Sequence, residues 1–154
     1  MIKCIIFDFD GTLVESNEIK KDTFYEVTKN IVGADSILDE LFLKPDFGDR
    51  FDIFNTLFDN IKRPYKVNTS ATYLSGLYTK ICEYKISKSP EIPGAQDTLE
   101  QLKIKKIKAY VSSATPTDTL KRIIDARGWG EFFELIMGSP KSKEDHIKLV
   151  LSLN

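Results

Sequence analysis

The polar and apolar positions of the chain fall into two regimes. Lys3 to Phe9 is apolar without alternation, carries β-branched and aromatic residues, and ends at the turn signal Asp10-Gly11. Such a run predicts a strand buried on both faces, the habit of parallel sheets. Ile107 to Val111, ending at Ser112-Ser113, and Phe133 to Met137, ending at Gly138-Ser139-Pro140, predict two more strands. Helical patterns lie between them. Pro93-Gly94 opens one, with Ala95, Leu99, Leu102 and Ile104 on or near one face. Thr115-Pro116 opens another, with Thr115 as expected N-cap, Pro116 at the first helical position, apolar Leu120, Ile123 and Ile124, and a stop at Gly128. Strands alternating with helices imply right-handed crossovers and an α/β, doubly wound parallel sheet.

From about Glu15 to Ser89 the rhythm breaks, with helical stripes and no convincing strand. Phe47, Phe51, Phe54 and Phe58 recur at helical spacing, as do Leu74, Leu77, Tyr78 and Ile81. A helical core is the expected use of such a stripe, rather than a cofactor box. Ser87 to Pro93 is rich in turn formers and predicts the return linker. The expected organisation is therefore a discontinuous α/β domain over 1–14 and 90–154, with a helical domain over 15–89 inserted in it.

Composition narrows the function classes. The chain has 154 residues, 42% hydrophobic and 29% charged, and its 22 basic against 23 acidic residues leave a net charge of −1. No basic patch suggests a nucleic-acid partner. No stretch approaches the ~20 apolar residues of a membrane span, and the apolar N-terminal run is too short for a signal-peptide core. Cys4 and Cys82 sit in an apolar run and a helical stretch, and are expected to be reduced core residues of a cytoplasmic protein.

The candidate chemistry gathers at strand ends, where ligands collect in open parallel sheets. Asp8-Phe9-Asp10-Gly11-Thr12-Leu13 places two carboxylates one residue apart just beyond a buried strand, with a glycine for a tight turn. Paired carboxylates hold a hard cation such as Mg²⁺, and one can act as nucleophile while the other shuttles a proton. The alternatives are a turn of solvated aspartates, or a calcium loop, which wants a further acid where Thr12 sits.

In its context the hexad resembles the first signature of the haloacid dehalogenase-like hydrolases, mostly Mg²⁺-dependent phosphatases with a Rossmann-like core. Three features downstream extend the resemblance: Ser112 ending the second strand, Lys141 and Lys143 near the start of a later helix, and the helical insertion. Leu13-Val14-Glu15-Ser16 and Pro93-Gly94-Ala95 resemble the subgroup with a cap after the first strand, near phosphoglycolate phosphatase and β-phosphoglucomutase.

The resemblance implies that Asp8 attacks phosphorus and becomes an aspartyl-phosphate, while Asp10 protonates the leaving oxygen and then deprotonates water. Asp8 and the main-chain carbonyl of Asp10 would hold Mg²⁺. An acid at Asp10 favours phosphoryl transfer, since the family's carbon–halogen hydrolases lack one there. Ser112 would hold the transferring phosphoryl oxygens, with Gly11, Thr12 and Ser113 beside it and a helix N-terminus opening at Pro116. Lys143 is the preferred phosphate-neutralising lysine and Lys141 the alternative.

Blander readings accompany these residues: Ser112 and Ser113 as loop caps, either lysine as a solvated side chain, Arg50 as an ordinary helix-start residue rather than a substrate-binding cap residue, and Trp129 as packing at a strand entrance. His146, the lone histidine, is expected to be satisfied or solvated rather than a metal ligand.

The implied substrate is a small phosphorylated metabolite, handled by a phosphatase or a sugar phosphomutase; a non-catalytic phosphate-binding or Mg²⁺-binding remnant is a third reading, and monomer and dimer stay open. The family's fourth signature, an acidic pair after a further strand, has no counterpart in Lys148 to Asn154. The expectation is a C-terminally truncated core, a fragment of a longer chain in which the first strand becomes a sheet edge.

Overall fold

The computed structural model describes residues 2–61 and 69–154. Among them, three strands form one parallel sheet in the order β1-β2-β3, with β1 at Cys4–Phe7, β2 at Lys108–Pro116 and β3 at Leu135–Ser139. β1 pairs with β2 from Cys4↔Lys108 to Phe7↔Val111, so among the described residues its other side is a sheet edge.

All three strands differ at their ends from the sequence expectation. β1 is shorter, because beyond Phe7 the chain leaves the ladder and turns back on Phe9, whose carbonyl accepts from the backbone N–H groups of Thr12, Leu13 and Val14. β2 runs on through the Ser-Ser-Ala-Thr-Pro segment with a register irregularity between Ser112 and Pro116. Thr115 is therefore a strand residue, and Pro116, in extended backbone conformation, is the N-cap of the next helix rather than its first residue. β3 is shifted along the chain, because Gly130–Phe132 forms a single 3₁₀ turn before it.

The chain divides into two compact units, Met1–Asn17 with Glu83–Asn154, and Glu18–Cys82. In the first, α5 (Ala95–Ile104), α6 (Thr117–Ala126) and α7 (Lys143–Ser152) follow the strands. Alternation along the strands sorts the faces. Tyr110 and Met137 pack with Val150 of α7, joined by Cys4, Ile6 and Leu135, while α6 buries Leu120, Ile123 and Ile124. The outgoing and returning connections pair where they cross, Glu15 N–H donating to Pro90 O and Ile92 N–H to Leu13 O. Trp129 is buried ahead of β3, its indole donating to Gln96 and its ring under the Arg127 guanidinium.

Four helices form or enter the second unit: α1 (Asn17–Thr28), α2 (Ala34–Phe42), α3 (Arg50–Asn60) and α4 (Ala71–Ser87). Phe24 stacks on Tyr78 at 4.2 Å and meets Phe54 at 5.2 Å between ring centroids. The phenylalanine stripe is not one helical face. Gly48 takes a positive φ of 76° and Asp49 caps the helix through a capping box with Asp52, so α3 starts at Arg50 and Phe47 lies before it. Phe47 and Phe51 are exposed, and the buried face is Ile53, Phe54 and Leu57. No described helix is long and apolar enough to cross a membrane.

Candidate active site

The turn after β1 places Asp8 and Asp10 beside the C-terminal end of β2. Gly11 makes the turn feasible: its φ is 71°, and a Cβ there would fall on the side chain of Asn17. Thr12 is exposed in the same turn, while Leu13 and Val14 bury behind it.

The two carboxylates have different partners. Asp8 is partly exposed, accepts from the backbone N–H of Phe9 at 2.8 Å, and forms an ion pair with Lys143 Nζ at 2.7 Å. Asp10 accepts from three hydroxyls: Ser16 at 2.7 Å on one oxygen, and Thr115 at 3.1 Å and Ser113 at 3.2 Å on the other. Ser113 and Thr115 are two apart on β2, and the Ser113 hydroxyl also accepts from the Thr115 N–H.

The structure changes the expected part of Ser112. Strand alternation puts it on the face of Tyr110, toward α7, where its hydroxyl is hydrogen-bonded to His146 Nδ1 at 2.8 Å. The β2 hydroxyls that meet the Asp10 carboxylate are those of Ser113 and Thr115. Thr115 had been expected only as a cap, and Ser16 as a subgroup feature. Ser113 is among the residues expected beside the phosphate; the signal that could have found Thr115 is its period-two spacing from Ser113 at the end of a parallel strand. His146 is satisfied and buried, not solvated.

Lys143, rather than Lys141, is the lysine that reaches Asp8. It is the first residue of α7, whose start is set by Ser142: the Ser142 hydroxyl accepts from the Asp145 N–H, and Asp145 caps back. The hydrogen bonds from Ser142 hold the Asp145 carboxyl below its ordinary pKa. Gly138 of β3 lies close against the turn from β2 into α6, since a Cβ on it would collide with the backbone of Thr115, Pro116 and Thr117, and its N–H donates to the Thr117 hydroxyl. Arg50 lies in the helical unit, its guanidinium 4.5 Å from the Phe51 ring centroid and its Nε buried without a hydrogen-bond partner.

The donors suit Mg²⁺ better than a softer metal. The Asp8 carboxylate and the Asp10 carbonyl are hard oxygens on a partly exposed turn, and Mg²⁺ keeps waters or substrate phosphate as its remaining ligands. Among the described residues no group of three or more His, Cys, Asp or Glu forms a closed metal cage.

The parallel α/β core gathers two carboxylates, a lysine and hydroxyls at its strand ends. The chain belongs to the haloacid dehalogenase-like hydrolases, whose family pattern it matches over residues 5–152. Among solved structures it is similar to CbbY from Rhodobacter sphaeroides in complex with xylulose 1,5-bisphosphate, at TM-score 0.71 and 18% identity, covering 99% of this chain and 72% of that one. A predicted phosphoglycolate phosphatase from Haemophilus somnus is similar at TM-score 0.71 and 19% identity, with 99% and 72% covered. YfnB from Bacillus subtilis, bound to magnesium, is similar at TM-score 0.67 and 17% identity, with 98% and 73% covered. At these identities the likeness is one of fold. No curated protein matches in sequence.

Proposed function

We propose that the chain carries the site of a Mg²⁺-dependent phosphatase that hydrolyses a small phosphomonoester through an aspartyl-phosphate. The observation that carries this reading is the convergence of Asp8, paired with Lys143, and Asp10, held by Ser16, Ser113 and Thr115, at the ends of two adjacent parallel strands.

In the first half-reaction an Asp8 carboxylate oxygen forms a bond to phosphorus as the phosphorus–oxygen bond to the alcohol breaks. Asp10 donates a proton to the leaving oxygen. In the second, water attacks phosphorus, Asp10 takes its proton, and the bond from phosphorus to Asp8 breaks to release inorganic phosphate. The Lys143 ammonium offsets the negative charge that collects on the phosphoryl oxygens. Ser113 takes the phosphate-facing part first expected of Ser112, and Thr115 and Ser16 keep Asp10 oriented. The Asp8 carboxylate and the Asp10 carbonyl would hold Mg²⁺, which would supply further neutralisation of phosphate charge when bound.

The test is inorganic phosphate release by the purified chain from a panel of phosphomonoesters, including phosphoglycolate and sugar bisphosphates, with and without Mg²⁺. Metal-dependent release is expected. A folded chain that releases no phosphate with any divalent cation would sink the reading.

A further inference from the structure

Ser112 and His146 are two polar residues that the proposed reaction does not use, and both are buried, at 4% and 2% exposure. Their hydrogen bond, 2.8 Å between Ser112 Oγ and His146 Nδ1, joins β2 to the first turns of α7. Burying an imidazole costs free energy that the bond only offsets, and an apolar side chain would fill the same place more cheaply. What a hydrogen bond adds over an apolar contact is direction: it fixes the rotation and register of the helix on the strand.

Both ends of this link adjoin the site. Ser112 precedes Ser113, which donates to Asp10. His146 lies three residues after Lys143, hence on the same side of α7, and four before the buried Val150. The ion pair of Lys143 with Asp8 is itself solvent-exposed, with side chains 53% and 40% accessible, and exposed ion pairs hold geometry weakly. The capping box of Ser142 and Asp145 fixes where α7 begins but ties it to nothing outside the helix.

We infer that Ser112 and His146 form a positioning pair that locks the start of α7 onto β2 and so holds Lys143 against Asp8. The catalytic consequence rests on the phosphatase reading; the positioning of Lys143 does not.

The experiment has two arms, run on the full chain with His146→Leu and, as the milder change, Ser112→Ala, each checked for folding by circular dichroism. The first arm measures the rate of amine acylation at each lysine by mass spectrometry, with Asp8→Asn as the reference for an unpaired Lys143. Lys103, paired with Glu131 at 2.8 Å, serves as internal control. Both variants are expected to raise labelling of Lys143 to near the Asp8→Asn rate and leave Lys103 unchanged. Labelling of Lys143 that stays at the wild-type rate in the folded Ser112→Ala chain would overturn the inference.

The second arm measures kcat/KM for phosphate release. A displaced catalytic group is expected to cost on the order of 10- to 100-fold, and that cost should shrink to within about twofold when Lys143→Met is already present. Losses that instead multiply independently of Lys143 would make the pair merely structural and overturn its positioning role. If the wild-type chain releases no phosphate, the phosphatase reading fails by itself and the labelling arm still decides the positioning of Lys143.

Discussion

The two units use their polar side chains differently. At the candidate site of the α/β unit, three side-chain hydrogen bonds join residues far apart in sequence: Lys143 to Asp8 across 135 positions, Thr115 to Asp10 across 105, Ser113 to Asp10 across 103. Among the described residues of the helical unit, several stay near home. Thr23 and Thr28 bond carbonyls one turn back, Asp49 and Asp52 cap their own helix, and Tyr25 reaches Asp39 on the next helix. Local bonds of that kind close the ends and turns of helices, whereas chain-distant polar groups at one point need a fold to hold them there. The comparison separates a unit whose polar groups converge on a candidate site from one built around aromatic packing.

Asp8→Asn tests the first half of that contrast with the largest effect. It leaves volume unchanged and removes the proposed nucleophile, so phosphate release is expected to fall on the order of 10⁵-fold or to the assay floor. The lost ion pair is exposed, and the melting free energy should move by less than about 1 kcal/mol. Retained turnover would remove Asp8 from its assigned role.

Phe54→Ala is the mirror image. Phe54 is fully buried against Phe24 and Tyr78, and its truncation is expected to cost about 3–5 kcal/mol by denaturant melts. Turnover per folded molecule should change far less than with Asp8→Asn. A stability loss below about 1 kcal/mol would mean that the ring cluster does not hold the helical unit together.

Much of the α/β unit was legible because its signals are strong and short. A four-residue apolar strand followed by Asp-Phe-Asp-Gly can turn in few ways, and Gly11 with its positive φ is the turn residue that pattern implies. What failed was phase. Reading Ser112 as the last residue of a strand hid that β2 continues to Pro116, so the alternation puts Ser113 and Thr115, not Ser112, on the side of Asp10. Phase failed in the helical unit too, where Gly48 and the Asp49 cap restart the helix between Phe47 and Phe51. In α4 no such break intervenes, and Leu74, Tyr78, Cys82 and Ile86 bury at an even spacing of four. Periodicity is readable within an element and unreadable across an unrecognised start or extension.

Gly138→Ala sharpens the comparison at intermediate size. The new methyl group would meet backbone atoms of the turn from β2 into α6, including Thr117 N at 2.6 Å and Pro116 C at 2.9 Å. Backbone gives way poorly, so a cost of about 1–3 kcal/mol is expected. The same shift moves Thr115, a partner of Asp10, and turnover should drop more than for an equally destabilising change in the helical unit. Equal effects on turnover at matched stability would erase the distinction between the two regions.

The smallest effect is a pH dependence confined to the helical unit. Burial, then the hydrogen bond to Asp39 and its charge, push the Tyr25 phenol from 10.0 up to about 12. The unfolded chain releases this proton near pH 10 while the folded chain keeps it. Between those values unfolding is therefore accompanied by proton loss, and rising pH favours it. The contribution of Tyr25 is fully present below about pH 10 and is lost as the pH climbs toward 12. Thermal melts of wild type and Tyr25→Phe, compared at matched pH, isolate it from the other tyrosines and the lysines. The wild type should lead by a constant margin near neutrality, and the margin should close above about pH 10. Phosphate release at neutral pH should be the same in both, because the Tyr25–Asp39 bond joins two helices of the helical unit and involves none of the candidate site residues. Parallel melting curves across the alkaline range would show that the phenol ionises alike in both states, and would remove this bond from the forces holding the helical unit.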